Sequence, residues 1–253
     1  MPTMLDLAVA FLLVLASIYE YRVFSPRLRA DVVAERPGAR TRAYRRVVLG
    51  EWVFALGALA IWASHGRPWS GLRLTPVTGW RVALAIVFVL AAFALLALQL
   101  WSVARLSPDR RVAVRPKLGD VTFFLPRTRE EEGWFIALSI TAGFCEELLY
   151  RGYLPWFMAP WIGSIAAMAV VVLIFGASHL YLSRSAATRA TLTGAVLAAI
   201  VLATNSLVPA MIVHALIDIG GGTVGYWLLR EGSENGGHPS RVRPAPTASS
   251  SPI

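Results

Sequence analysis

Seven stretches of this chain are apolar over the distance a helix needs to cross a bilayer, and no other feature restricts the fold as much. A hydrocarbon layer ~30 Å deep takes about 20 mainly apolar residues in helical form. Only helices and closed barrels satisfy every backbone N–H and C=O away from water. The stretches are 4–18, 47–63, 80–103, 134–153, 161–182, 190–203 and 207–229, of which the first and sixth are short. Charged residues make up 15% of the chain and apolar residues 56%, against about 25% charged in an average soluble domain. The expected fold class is all-α, a multi-pass transmembrane helical bundle of about seven spanning helices.

A net charge of +9 would suggest nucleic acid in a soluble protein, but the arginines cluster in particular connections. Arg22, Arg27, Arg29, Arg36, Arg40, Arg42, Arg45 and Arg46 follow the first stretch. Arg105, Arg110, Arg111, Arg115, Lys117, Arg127 and Arg129 follow the third. The fourth-to-fifth and sixth-to-seventh connections are nearly free of them. By the positive-inside rule the dense connections are cytoplasmic, which puts the N-terminus outside and the C-terminus inside if all seven helices span. The expected location is the cell membrane, with the lipid bilayer as a partner and no nucleic acid. Met1 to Thr3 carries no basic side chain and no small-residue cleavage site follows, so the first helix is expected to be retained. Cys145 is the only cysteine, which excludes a disulfide framework and a cysteine metal cage.

The connections 20–46 and 105–132 read as cytoplasmic loops, and Val121, Thr122, Phe123, Phe124 and Leu125 as a segment dipping into the membrane surface. After Arg230 the chain turns to Gly, Ser, Pro and Ala, too poor in apolar residues to offset its ordering entropy. A helical domain over 1–230 and a disordered cytoplasmic tail over 231–253 are expected. There is no solenoid repeat and no Gly-rich phosphate loop after a strand.

Ionisable groups in membrane helices cost about 2.5–3.5 kcal/mol each on insertion scales, so they face the bundle interior and mark function. They are Glu146, Glu147 and Arg151 in the fourth stretch, His179 in the fifth, and His214 and Asp218 in the seventh. Glu147 and Arg151 are four apart and therefore neighbours on one helix face. Glu146 points about 100° round the helix, toward another partner. His214 and Asp218 are also four apart, so the carboxylate can hold the imidazole in one tautomer. A buried Glu with two histidines can activate water as general base and stabilise an oxyanion. No Ser, Thr or Cys nucleophile is required.

The run Glu146-Glu147-Leu148-Leu149-Tyr150-Arg151, then Phe175-Gly-Ala-Ser-His179, then His214-Ala-Leu-Ile-Asp218, resembles the motifs of the CAAX prenyl protease and bacteriocin-processing family. Those are Glu-Glu-x-x-x-Arg, Phe-x-x-x-His and His-x-x-x-Asn or Asp, in this order on successive membrane helices. The resemblance covers roughly 134–222. It implies an all-helical membrane bundle and an intramembrane glutamate protease that uses neither metal nor other cofactor and cuts a peptide or protein substrate, free or membrane-associated. It also implies Glu146 as the base, His179 holding the water, Glu147 and Arg151 supporting, and His214 with Asp218 on the oxyanion side. Asn can donate to an oxyanion and ionised Asp218 cannot, so Asp218 is either protonated or orients His214.

Other readings of the same residues stand beside this one. The charged run can snorkel at a helix end, and His214 with Asp218 can be a structural pair between helices. Cys145 reads as a packing residue, Glu51 as a snorkelling side chain, and Gly220-Gly221-Gly222 as a site of close helix contact. A His2Glu set also ligates zinc, although the usual His-Glu-x-x-His spacing is absent. An immunity or scaffold protein without catalysis, and a proton-coupled transporter, are the competing function classes. Depth poses one difficulty: at ~1.5 Å per residue, His179 falls on the order of 15 Å from the level of Glu146 and His214. A deeper or tilted fifth segment, or a re-entrant piece around 155–161, is then required.

Overall fold

The structure, a computed structural model, describes residues 1–230; the tail expected to be disordered and His238 lie outside the described residues. Among the described residues there is no strand. The helices are α1 (Met4–Tyr19), α2 (Ser25–Val33), α3 (Ala39–Ser64), α4 (Arg81–Ala104), α5 (Pro108–Val114), α6 (Arg129–Glu147), α7 (Leu154–Ile162), α8 (Ser164–Ser178), α9 (Arg184–Thr204) and α10 (Val208–Leu229). Six units are long and apolar enough to span a membrane: Met4–Val33, Ala39–Ser64, Arg81–Ala104, Ser164–Tyr181, Arg184–Thr204 and Val208–Leu229. The remaining expected span, 134–153, lies in α6 and its continuation, where glutamates replace apolar residues. This helix packs between α3 and α10, so protein rather than lipid surrounds it.

Prolines explain why two helices run further than hydropathy indicates. Runs of π-helix at Glu20–Phe24 and Leu148–Tyr153 stand just before Pro26 and Pro155. Proline has no N–H for the carbonyl four residues back, and its ring presses against that carbonyl. The wider turn moves the pairing one residue on: Ser25 N–H reaches the Glu20 carbonyl, and Leu154 N–H the Leu149 carbonyl. Helix therefore continues from Met4 to Val33, and α6 runs on into α7.

The connections expected to be loops are largely structured. Between α2 and α3 only residues 34–38 are non-helical, closing at Gly38 with φ +66°. Arg29 donates to the carbonyls of Leu182 (2.6 Å) and Asp120 (3.4 Å), and Arg40 to that of Phe123 (2.9 Å). The arginines of the first connection thus tie down the second and the α8–α9 turn at one end of the bundle. Phe123, Phe124 and Leu125 are buried, Phe124 edge-on to Tyr44 and Phe135. They serve the protein's own core instead of entering the membrane surface, because Phe124 finds edge contacts with Tyr44 at 85° and Phe135 at 68° within the fold. At the other end the buried Asp6 accepts two bonds from Arg67, both 2.7 Å, and one from Tyr153 (2.5 Å). Asp6 is a buried carboxylate in the first turn of α1 that hydropathy alone passes over.

A glycine sets the closest helix approach. A Cβ on Gly143 would lie 2.7 Å from the Met211 carbonyl and 2.9 Å from the Ala215 amide, so α6 and α10 touch backbone to backbone one turn before Glu147 and beside His214. Gly220 and Gly222 likewise admit Leu96 and Phe135 side chains, whereas a Cβ on Gly221 would meet nothing within 4 Å. Overpacking of this kind costs about 1–3 kcal/mol. Gly143→Val is expected to lower thermal stability in detergent by that much, while Gly57→Ala, where a Cβ meets nothing within 4 Å, leaves it unchanged; equal melting of the two variants would refute the close-contact role.

Candidate active site

The depth problem disappears once the hairpin is traced. From Glu146 the helix continues to Ile162, turns at Gly163 (φ +78°, ψ 155°, a conformation open to glycine alone), and α8 runs back to end at His179. The outward arm is 17 residues and the return 16, at ~1.5 Å per residue, so both side chains reach the same level. The fifth segment begins no deeper than expected; the fourth simply does not stop at Tyr153.

Adjacent positions on one helix send the two glutamates different ways. Glu147 is fully buried and its Oε1 lies 2.9 Å from Arg151 Nη1 and 2.8 Å from His214 Nδ1. Neither Nη aims its N–H along that line, so the Arg151 contact is an ion pair without an aligned hydrogen bond. The guanidinium carbon also stands 4.0 Å above the Phe175 ring, a cation–π contact suited to a desolvated arginine. Gly194 makes room for it, since a Cβ there would lie 2.9 Å from Arg151 Nη2.

An ionised carboxylate only accepts, so Nδ1 of His214 carries the hydrogen donated to Glu147. Its Nε2 then faces Glu146 Oε2 at 3.7 Å and Asp218 Oδ2 at 3.6 Å, beyond direct hydrogen bonding. The imidazole is oriented by Glu147, a partner on another helix, and not by the i+4 aspartate that spacing offered. Asp218 is partly exposed, as is Glu146.

His179 caps α8. Its Nδ1 stands 2.9 Å from the Phe175 carbonyl, an acceptor, so Nδ1 holds the proton and Nε2 is unencumbered. The ring lies 4.7 Å from Phe175, which is also edge-on to His214 at 6.0 Å. Phe175 is thus the common wall between Arg151 and the two histidines.

Two cavities meet at this constellation. One of about 850 Å³ runs between α4, α9 and α10 and is walled mostly by apolar side chains, with Glu146, His179, His214 and Asp218 along its inner surface. Another of about 280 Å³ opens between α1 and α3 and also reaches Glu146 and His179. Glu51 lines both. It does not snorkel to the surface, because its face of α3 is turned toward Glu146 within the protein. Its position facing α6, with the glycines at 143 and 194, was not legible from hydropathy; the signal was a carboxylate inside an apolar run. Cys145 is buried behind the glutamates, away from both cavities. Among the described residues no group of three or more His, Cys, Asp or Glu side chains is arranged to hold a metal ion.

Residues 130–220 match a family model described as type II CAAX prenyl endopeptidase Rce1-like. The similarity spans 91 of the 253 residues. The match runs from the start of α6 into α10 and contains Glu146, Glu147, Arg151, His179, His214 and Asp218, but not Glu51. No curated protein and no solved structure matches the chain. The matched segment is similar to a prenyl endopeptidase family, and the chain around it has a multi-pass helical architecture.

Removing Arg151 leaves the buried Glu147 carboxylate without its guanidinium counter-charge, held by the His214 hydrogen bond alone, at a cost of about 3–5 kcal/mol. Arg151→Met is expected to lose that much stability in thermal unfolding, whereas Glu146→Gln, whose carboxylate faces a cavity, stays within about 0.5 kcal/mol of wild type. A fully stable Arg151→Met protein would remove Glu147 from the structural core of the site.

Proposed function

We propose that the chain is a glutamate-type intramembrane endopeptidase in which Glu146 activates water, without a metal. The observation that carries this is the division of labour between neighbours: Glu147 is tied to Arg151 and His214, while Glu146 faces a cavity shared with both histidines. The 850 Å³ groove lies in the size range of ligand sites, about 300–1,000 Å³. Its apolar walls suit a substrate chain drawn in from the membrane, and its carboxylates sit on the inner surface where the scissile bond would lie.

In this reading Glu146 takes a proton from a water held also by His179 Nε2, and the hydroxyl oxygen adds to the scissile carbonyl carbon. His214, carrying a hydrogen on each nitrogen, donates Nδ1–H to Glu147 and Nε2–H to the oxyanion that forms. Asp218 steadies that imidazole from the cavity side, a role open to aspartate where Asn would donate directly. Collapse of the adduct breaks the C–N bond, and the proton on Glu146 passes to the leaving nitrogen. One water is consumed, and an acid and an amine are released. Residues 1–230 act as one transmembrane catalytic domain in the cell membrane, with the arginine-bearing end cytoplasmic.

General-base catalysis contributes about 10²–10⁴-fold. Comparison of membrane peptides between a wild-type strain and one carrying Glu146→Gln should reveal substrates whose cleavage falls by that factor, and purified protein should keep its rate in chelator. Full cleavage by Glu146→Gln would overturn the assignment. Loss of expression in place of cleavage would favour a structural network over catalysis.

A further inference from the structure

Hydrolysis needs a water at Glu146 in each turnover, yet a peptide lying in the large groove covers that carboxylate from the groove side. The smaller cavity reaches the same carboxylate from another direction, between α1 and α3. We propose that it is a separate water inlet, leading from the arginine-bearing end of the bundle to Glu146 while the substrate occupies the groove. The inference rests on Glu146 being the base.

Polar side chains interrupt its apolar walls along their whole length. Ser17, Glu20, Glu51, Tyr150 and Ser178 place polar groups along it. Glu51 Oε2 is buried without a hydrogen-bond partner among the described residues. Carboxylates facing lipid cost about 2.5–3.5 kcal/mol each, whereas polar cavities hold water and only apolar ones stay dry. At ~30 Å³ per molecule, 280 Å³ accommodates several waters in file. At the mouth Arg46 donates to the Tyr19 hydroxyl (2.5 Å) and lies over the Tyr19 ring at 5.0 Å, bridging α3 to α1 with a polar lip. Val47, Glu51, Glu146, His179 and Tyr181 line both cavities, so the inlet and the groove join at the level where the reaction would occur.

Cysteine accessibility tests the inlet without reference to catalysis. Cys145 is buried, so the wild-type protein serves as a low-background reference. Ser17→Cys and Gly50→Cys line the inlet, while Leu49→Cys and Val53→Cys replace side chains 68% and 70% exposed on the outside of α3. In membrane vesicles treated with a charged, water-soluble methanethiosulfonate, the inlet cysteines should react at least about tenfold faster, because the thiolate that attacks forms in water and not in lipid. Equal rates at the two pairs of positions would overturn the inlet whatever Glu146 does. A kinetic arm complements it: a Cβ on Gly50 meets nothing within 4 Å, so Gly50→Leu fills the passage. Its kcat should fall about tenfold with KM unchanged, the signature of a lost step rather than lost binding. Unchanged kcat would equally refute the inlet. An active Glu146→Gln protein with fast-labelling inlet cysteines would instead show that the base assignment failed.

Discussion

The Glu147 carboxylate, buried between Arg151 on its own helix and His214 on α10, is the contact on which the rest of the site depends. It neutralises a guanidinium that no water reaches and fixes which nitrogen of His214 faces the cavity. It also holds α6 against α10 one turn beyond Gly143, where their backbones meet. A buried pair of this kind is a poor source of net stability, since desolvating both ions offsets most of their attraction. Its value is geometric, because an imidazole that could otherwise rotate freely has one orientation.

In the proposed reading, two demands that a membrane imposes on hydrolysis are met on opposite sides of that contact. The substrate side must be apolar, so that a chain can leave the lipid for the groove between α4, α9 and α10. The water side must be polar, and the charges there need either partners or solvent. Arg29, Arg40 and Arg46 cover the polar end by donating to backbone carbonyls and to Tyr19. Phe123 and Phe124 fill the space beneath them.

Much of this was legible in the linear chain, and the parts that were not share a cause. Helical periodicity placed Glu147 beside Arg151 and sent Glu146 elsewhere, because neighbours on one helix depend only on spacing. Partners on different helices escaped: His214 spacing pointed to Asp218, but the bonded carboxylate is Glu147, and the tethering of Asp6 by Arg67 and Tyr153 joins residues far apart. Hydropathy marks where apolar residues stop, not where helix stops, so the stretches before Pro26 and Pro155 passed for helix ends. Glu51 was judged by its position near a loop, whereas its environment is set by the face of α3 packed toward α6.

The hairpin through Gly163 makes segment length a constraint on the site. One residue added to either arm would swing His179 by about 100° and shift it ~1.5 Å along the axis, turning its imidazole away from the shared wall at Phe175. Compensation requires an equal change in the other arm, or whole turns gained and lost together. Membrane thickness can therefore be accommodated across this pair only in paired steps, so its length tolerates less change than its apolar composition.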